Sequence, residues 1–597
     1  LKMALKARQE GLLLVTAIFL IVMVAAMIMG LAYLNSAGTG AGGLQGESAK
    51  AYYFARSGIE YAKQLSLTGT ACGAGLEGTR NVDSGSFTVS GATQYGATSS
   101  TLSGAITSNA TTIPVGAMGA YAPFGRILID QEEIVYGAIS GNNFINVQRG
   151  AGNTVAATHS AGARVYQGVC SVRVTGTMGN ASRVLSANMA LPLFRTGVIT
   201  KPAAAGAAAT TGVGFRPSVV IFFWTAQAAT GVSAEVSSGM GFATASTQYA
   251  AVTTMRNGLT PTDNGRRRST GNAILFQTTA AAPALQAAAS LQSMDADGFT
   301  LNWTTNLVAT GYRISYVALG GDVQGSVGNF DMANVTGNQA ISNVGFRPEL
   351  LLFVQAANAV DNTDTAHAQL GLGFATTAGQ GTLVSAGTHN LATSASRWQQ
   401  LTSAAISYIN PATNPPDTVG QGRASLVSMD SNGFTINVNP APAGANWNVG
   451  YLALRGVRAA TGSFNQPAAA GIQNSVSTLA FRPIGLMLAS WNLAAAGTLN
   501  PGRTSIGVAG GNPAAASNVW YAEASAASPS VTNSYNDATN VISMGPNATI
   551  TNPAQASLQS LLLGGFSLNW TAADATTRQV LYWAIGPRDH ADILENY

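Results

Sequence analysis

Four histidines, His159, His367, His389 and His590, are the side chains of this chain best suited to general acid-base work near neutral pH. None recurs at equivalent places in the internal repeat described below. No Gly-x-Ser-x-Gly elbow, His-Glu-x-x-His helix or Cys/His zinc spacing accompanies them. A glycosidase needs two carboxylates facing one bond, and the acids that recur are Asp295 and Asp297 beside Asp430. They lie in Asp-Ala-Asp-Gly and Asp-Ser-Asn-Gly, which faintly resemble calcium loops but lack the distal glutamate. Asp-Gly and Asn-Gly between strands are strong hairpin signals, so a tight turn is the expected role. Asp130, Glu132 and Glu133 form the other acidic group. Strand alternation puts Asp130 and Glu132 on one face opposite Ile129, read as a polar solvent face. The expectation is a protein without catalytic residues, cofactor or metal; Asp295, Asp297 and Asp430 are the weak candidates for a metal.

Binding is better supplied. The eight tryptophans are concentrated in the repeats. Trp303 and Trp570 hold equivalent strand positions and read as core. Trp398 and Trp447 lie in polar, loop-like surroundings and are the candidates for an exposed ligand platform, such as one for sugars. Arg266, Arg267 and Arg268, in a loop of Gly, Asn, Ser and Thr, are candidates for an anion or surface-glycan contact. With 9% charged residues and a net charge of +4, the chain lacks the broad basic face of a nucleic-acid binder.

These groups must be carried by something, and the N-terminus says what. Lys2, Lys6 and Arg8 precede Gly11, after which Leu12–Leu34 runs without a charge. About 20 apolar residues suffice to cross a bilayer as a helix. The next basic residue is Lys50, so the positive-inside bias places the leader in the cytoplasm and the remainder outside. The apolar run is too long for a cleavable secretory signal, whose core spans about 7 to 15 residues. Beyond the Gly-rich stretch Asn35–Gly43, Ala49–Leu65 reads as a second, amphipathic helix with Tyr52, Ala55, Ile59 and Ala62 on one stripe.

The basic leader ending in Gly11, the apolar helix that follows at once, and AYYFARSGIEYA together resemble type IV pilins and pseudopilins, in particular the minor pilins of the PilX and MSHA biogenesis protein P group. The resemblance covers roughly the first 70 residues. It implies cleavage between Gly11 and Leu12 by a prepilin peptidase, an inner-membrane precursor, methylation of the new N-terminus, and packing of Thr16, Tyr52, Ala55 and Ile59 against other pilin subunits in a filament. Most pilins carry Phe and Glu at the first and fifth mature positions, where this chain has Leu12 and Thr16. Some minor pilins and the tip pseudopilin of type II secretion share the missing glutamate, which points to a rare priming or tip subunit.

In an exported chain the two cysteines, Cys72 and Cys170, are expected to pair. Strands at Gly85–Ser90 and Val169–Met189 resemble the small antiparallel sheet that a pilin head packs on its helix. Between them Thr101–Tyr166 forms a separate β unit that resembles a module of bacteriophage tail proteins.

The rest is a repeat with a period of about 130 residues. Gly214-Phe215-Arg216-Pro217 returns at Gly345–Pro348 and, with Ala480 first, at Phe481–Pro483. Gly241-Phe242-Ala243-Thr244 returns at Gly373–Thr376 and weakly at Gly507–Gly510, and the Gly-Phe-Thr-Leu-Asn of 298–302 returns at 433–437 and 565–569. Such a period gives each unit its own core, and short strands between Gly, Asn, Pro and Thr turns read as β-sandwiches, each strand burying one face. The units resemble modules of phage and bacterial surface proteins, which implies a jelly-roll-like fold.

The expected fold is therefore mainly β with a long N-terminal α-helix: a pilin-like α+β head followed by three jelly-roll-like sandwiches. Its parts are a leader (1–11), the helix (12–70), the head sheet (71–95 and 169–195), an inserted β module (96–168) and repeats at 196–324, 325–461 and 462–597. The expected function is that of a minor subunit of a type IV pilus-like filament, at its tip, displaying adhesive modules toward surface glycans or proteins, with no nucleic-acid partner. The alternatives are a membrane-anchored surface spacer and, last, a carbohydrate-active enzyme.

Overall fold

The computed structural model describes residues 23, 24, 27 and 41–596, apart from 68–71, 96–99, 119–120, 131, 152–153, 191, 281, 415, 444–446, 492, 500–501, 512–514, 546–550 and 589–590. The expected processing site Gly11–Leu12, Thr16 and most of the apolar span lie outside these residues. No helix among the described residues is long and apolar enough to cross a membrane.

Helix α1, Ala41–Leu67, lies on a five-stranded antiparallel sheet. Ala51, Ala55, Ile59 and Ala62, spaced four, four and three apart, share one face of the helix and are fully buried against Phe87, Val89, Val172 and Val174. Small residues bring the two layers close: a Cβ on Gly176 would collide with the backbone of Ala51 and Ala55, and one on Gly58 with Val174 and Phe87. Cys72 and Cys170 are joined by a disulfide that ties the segment after the helix to the sheet across 98 residues. In the chain-entropy picture a loop of this length is stabilised by roughly 4 kcal/mol.

The order of this head sheet is Gly78–Val82, Gly85–Tyr95, Val169–Met178, Ala181–Ala190 and Ala591–Asn596. Its last strand is the C-terminal end of the chain, so the three repeats are inserted within the head rather than appended to it. The repeats also begin earlier than expected: Pro192–Thr200 pairs with Arg313–Gly321 inside the first repeat. The inserted segment carries a five-stranded and a three-stranded sheet around Ile113, Ile127, Ile129, Ile134, Tyr136 and Phe144.

Each repeat is a sandwich of a large inner and a four-stranded outer antiparallel sheet. In the first repeat the inner sheet contains Pro192–Thr200, Arg313–Gly321, Pro217–Thr225, Val236–Thr244, Gln248–Met255 and Asn264–Ser269; the outer contains Gly206–Thr211, Gly298–Asn306, Leu285–Asp295 and Ile274–Gln277. Successive strands follow one another as meanders, and the first two strands of the repeat pair with its last two. The recurring Gly of Gly-Phe-Ala-Thr has a simple cause: a Cβ at Gly241, Gly373 or Gly507 would strike the carbonyl oxygen of Ala273, Ala405 or Val541.

The three sandwiches do not form a string. Each inner sheet gains a seventh strand from another repeat: Thr365–Ala366 of the second joins the first, Gly497–Leu499 of the third joins the second, and Gly231–Ala234 of the first joins the third. The exchange closes on itself as a ring with pseudo-threefold symmetry. Inner strands are accordingly buried on both faces. Val220, Phe222 and Trp224 fill the first sandwich, while Val219, Ile221 and Phe223 enter a central core shared with Leu350, Leu352 and Val354 of the second repeat and Met487 and Ala489 of the third. Double burial explains why SVVIFFW and its counterparts are unbroken apolar runs, and it corrects the expectation of one buried face per strand. Each sandwich keeps its own core as well.

At the end of the ring remote from the head, the loops 256–263, 388–395 and 524–531 hydrogen-bond in a cycle. Thr262 N–H donates to Leu391 O and Asn390 N–H to Thr262 O; Ser394 and Ala526 exchange the same pair with Ala527 and Ser394; Gly258 and Ser530 do so with Ser530 and Leu259.

Candidate functional site

The predicted binding residues fall into two groups, those consumed by the ring and those left at its surface. Arg266, Arg267 and Arg268 are not in a loop. They form the middle of the inner edge strand Asn264–Ser269 and are nearly buried under the segment donated by the second repeat. Arg266 donates to Asn358 Oδ1 at 3.0 Å and to two backbone carbonyls; Arg267 pairs with Asp364 at 2.8 Å and Arg268 with Asp361 at 3.0 Å. Burial pushes Arg266 down to about 10, which leaves it charged at neutral pH. All three guanidinium groups bond across the joint, although Nε of Arg267 is buried without an acceptor among the described residues, so the triplet is corrected from an anion contact to an inter-repeat lock.

Trp398 is likewise corrected. It is fully buried in the shared core, its ring over Gly502 and its Nε1–H donating to Thr504 Oγ1 at 3.0 Å. Trp447 is half-buried, with one face stacked on Tyr408 at 4.6 Å. Asp295 accepts from Ser293 and Thr300 within its own hairpin, and Asp430 repeats this with Ser428 and Thr435. Asp297 accepts the N–H groups of Gly212 and Gly214, which hold its carboxyl below the usual range. These are turn-fixing carboxylates. Among the described residues no group of three or more His, Cys, Asp or Glu side chains is arranged to hold a metal ion.

On α1, Ala55 and Ile59 are spent inside the head, and Tyr52 packs at the edge of the same core. They are therefore not a filament-packing face. The free face is the opposite one, with Tyr53, Arg56, Ser57 and Glu60 exposed.

Among the described residues two large clefts lie at the head end of the ring, where adjacent repeats meet the insert. The cleft between repeats one and two measures about 770 Å³ and includes Ser218, Thr244, Gly325, Asn343 and, from the insert, Asp130, Glu132 and His159. Glu132 is buried, not solvent-facing. Arg149 grips it with Nε at 2.8 Å and Nη2 at 2.7 Å, and the N–H groups of Gly150 and Ala157 complete its shell. His159 bridges Asp130 (2.7 Å) and Glu132 (2.8 Å). Burial alone would lower the imidazole, but the hydrogen bonds to the two carboxylates hold it up at about 9. Burial would likewise raise Glu132; His159, Arg149 and the two N–H groups bring it down to about 2. An imidazolium clamped between two anions is a fixed charge, which suits a structural tie rather than proton transfer at neutral pH.

The cleft between repeats two and three measures about 890 Å³ and gathers Arg126, Arg347, Arg455, Arg458 and Arg588. Three carboxylates serve this group: Glu133 and Glu349 by direct contact, and Asp322 through its charge beside Arg588, Arg126 and Arg455. Glu133 meets Arg126, Arg455 (3.1 Å) and Arg588 (3.9 Å), and Glu349 meets Arg588 (3.1 Å) and the N–H groups of Gly456 and Val457. Register makes the two clefts equivalents: Ser218, Thr244 and Gln324 correspond to Glu349, Thr376 and Arg458. At the third such position Phe194 packs against Gly485, Gly510 and Gly511, and the strands bridge at Arg195–Gly511. The five arginines are scattered over 463 positions from Arg126 to Arg588, which is why no local sequence signal revealed them.

Comparison with known proteins leaves the site to be read from its own chemistry: no protein-family model matches the chain, and no curated protein matches it.

Proposed function

We propose that this protein is a minor subunit of a type IV pilus-like filament, held in the inner membrane by Leu12–Leu34 before assembly and carrying a pseudo-trimeric adhesive block at the filament tip. The observation that carries this reading is the return of the C-terminal strand Ala591–Asn596 to the head sheet. The whole ring is thereby fixed at both chain ends to one helix-bearing head, with its apex loops at the far end. A bulky block of this kind is accommodated more easily at a tip than at every step of a helical shaft. The exposed Tyr53, Arg56, Ser57 and Glu60 then give α1 its packing face toward neighbouring subunits. The closed ring weighs against a spacer, since three sandwiches folded around one axis give less reach than three in line.

The test is the N-terminus of the protein in sheared surface filaments from cells with and without prepilin peptidase, determined by mass spectrometry. A peptidase-dependent mature chain beginning at Leu12 in the filament fraction is expected. An uncleaved chain confined to the membrane fraction overturns the proposal in favour of an anchored surface protein.

A further inference from the structure

We propose that the arginine-lined cleft between the second and third repeats is a binding site for a small oxyanion-bearing ligand, one carrying a carboxylate, sulfate or phosphate group. The argument is one of charge and unused donors. Of the five guanidinium groups in this cleft, Arg126, Arg455 and Arg588 are tied to Glu133 and Glu349. Arg347 is exposed, and Arg458 lies with its guanidinium 6.0 Å from the Phe481 ring centroid; neither has an ion-pair partner among the described residues. Five guanidinium groups face three carboxylates when Asp322 is counted with Glu133 and Glu349, so the cleft holds an excess of positive charge.

Nη1 of Arg455 and Nε of Arg588 are covered from solvent without an acceptor among the described residues, so the donors open to a ligand are those of Arg347 and Arg458. Forked guanidinium groups match the planar or tetrahedral oxygens of carboxylates, sulfates and phosphates. The cavity, at about 890 Å³, is in the size range of small-molecule sites. Thr376, Thr377 and Thr478 add hydroxyls, and Pro348, Leu479 and Phe481 add apolar wall. The equivalent cleft between repeats one and two supplies an internal control. There Gln324 stands in the place of Arg458, and Asp130 and Glu132 of the insert are matched by His159 and Arg149, so that cleft has no surplus of positive charge to hold an anion. The proposal concerns the ring and the insert and holds whether or not the chain enters a filament.

Calorimetric titration of the full chain in detergent tests it, with three probes: inorganic sulfate, inorganic phosphate, and a sulfated or uronate-containing disaccharide. Saturable binding is expected with at least one. Binding of sulfate or phosphate alone assigns the cleft to free anions, and binding of the disaccharide alone assigns it to acidic glycans. Arg458→Gln, which installs the residue of the equivalent cleft, and Arg347→Gln are each expected to weaken binding tenfold or more with the unfolding midpoint unchanged. Arg173→Gln, on an exposed position of the head sheet, leaves it unchanged. Absence of saturable binding by all three probes, or equal binding by wild type and Arg458→Gln, overturns the proposal.

Discussion

The joint between the first and second repeats and the joint between the second and third are the same piece of architecture made with different chemistry. In both, an inner edge strand receives a short strand from the next repeat in the chain. Register equates Arg266 with Trp398 and Arg268 with Gln400. The first joint is closed by buried guanidinium groups on Asp361 and Asp364, and the second by an indole set into the shared core over Gly502. At the third, Ser534 takes the same place, its hydroxyl accepting from Gln227 of the first repeat at 2.8 Å. A trimer of identical chains must close three joints with one set of side chains. A single chain closes each joint once, so each can be complementary to its own partner and poor for the other two. Unlike chemistry at like positions thus fixes which repeat adjoins which.

The largest expected effect breaks the apolar joint. Trp398→Ala removes a fully buried indole and is expected to cost about 3–5 kcal/mol of unfolding free energy, read by urea unfolding of the detergent-solubilised chain. A cost under about 1 kcal/mol would mean that this joint does not hold the ring together.

The axis itself provides a second test, through pH. Glu523 of the third repeat is fully buried, and its carboxylate oxygen accepts from Asn264 Nδ2 of the first at 3.2 Å. Burial pushes it up to about 8, against a hydrogen bond from Asn264 that lowers it. Its folded-state value lies above its unfolded one, so the folded chain holds the extra proton between pH 4.5 and 8. Stability from this group is complete below the unfolded value and falls as pH rises through that window. The slope is at most about 1.4 kcal/mol per unit. Glu523→Gln is expected to recover on the order of 2 kcal/mol at pH 8 relative to pH 5. Asp322, buried and raised to about 7, slopes the same way, so the informative quantity is the difference between variant and wild type. Parallel pH curves for the two would rule out a buried, neutral Glu523.

The polar joint should be weaker than the apolar one. Arg268→Met keeps the stem and leaves Asp361, which is one-third exposed and can hydrate. The expected cost is about 1–2 kcal/mol. A double-mutant cycle with Asp361→Asn isolates the pair, and a coupling energy near zero would reduce the triplet to packing.

What could be read from the sequence was what recurs or lies close by. The Gly-Phe-Ala-Thr and Gly-Phe-Thr motifs recur because carbonyl oxygens press against those glycines, and the hairpin acids are local to their turns. Cys72 and Cys170 are the two cysteines of the chain, and the expected bond between them is present. Closure of the ring was not legible, although SVVIFFW, apolar on both of its alternating faces, carried a trace of it. Return of Ala591–Asn596 to the head depends on pairing with Met189–Val184, some 400 positions away, and no local pattern encodes that. The arginine triplet misled because Gly, Asn, Ser and Thr neighbours suit an edge strand under a polar joint as well as they suit a loop.

The smallest effect tests the hairpin acids. Asp295 and Asp430 bridge Ser293 to Thr300 and Ser428 to Thr435; in the third repeat Leu562 stands at this place, and Ser560 and Ser567 bond each other directly at 2.6 Å. The turn therefore forms without the acid. Asp430→Leu reproduces the third repeat and is expected to cost about 0.5–1 kcal/mol, the value of a part-exposed hydrogen-bonded turn. Calcium at millimolar concentration is expected to leave the unfolding midpoint of wild type unmoved. A calcium-dependent rise that Asp430→Leu abolishes would instead make these hairpins cation sites, and would separate the first two repeats from the third by ligand as well as by joint.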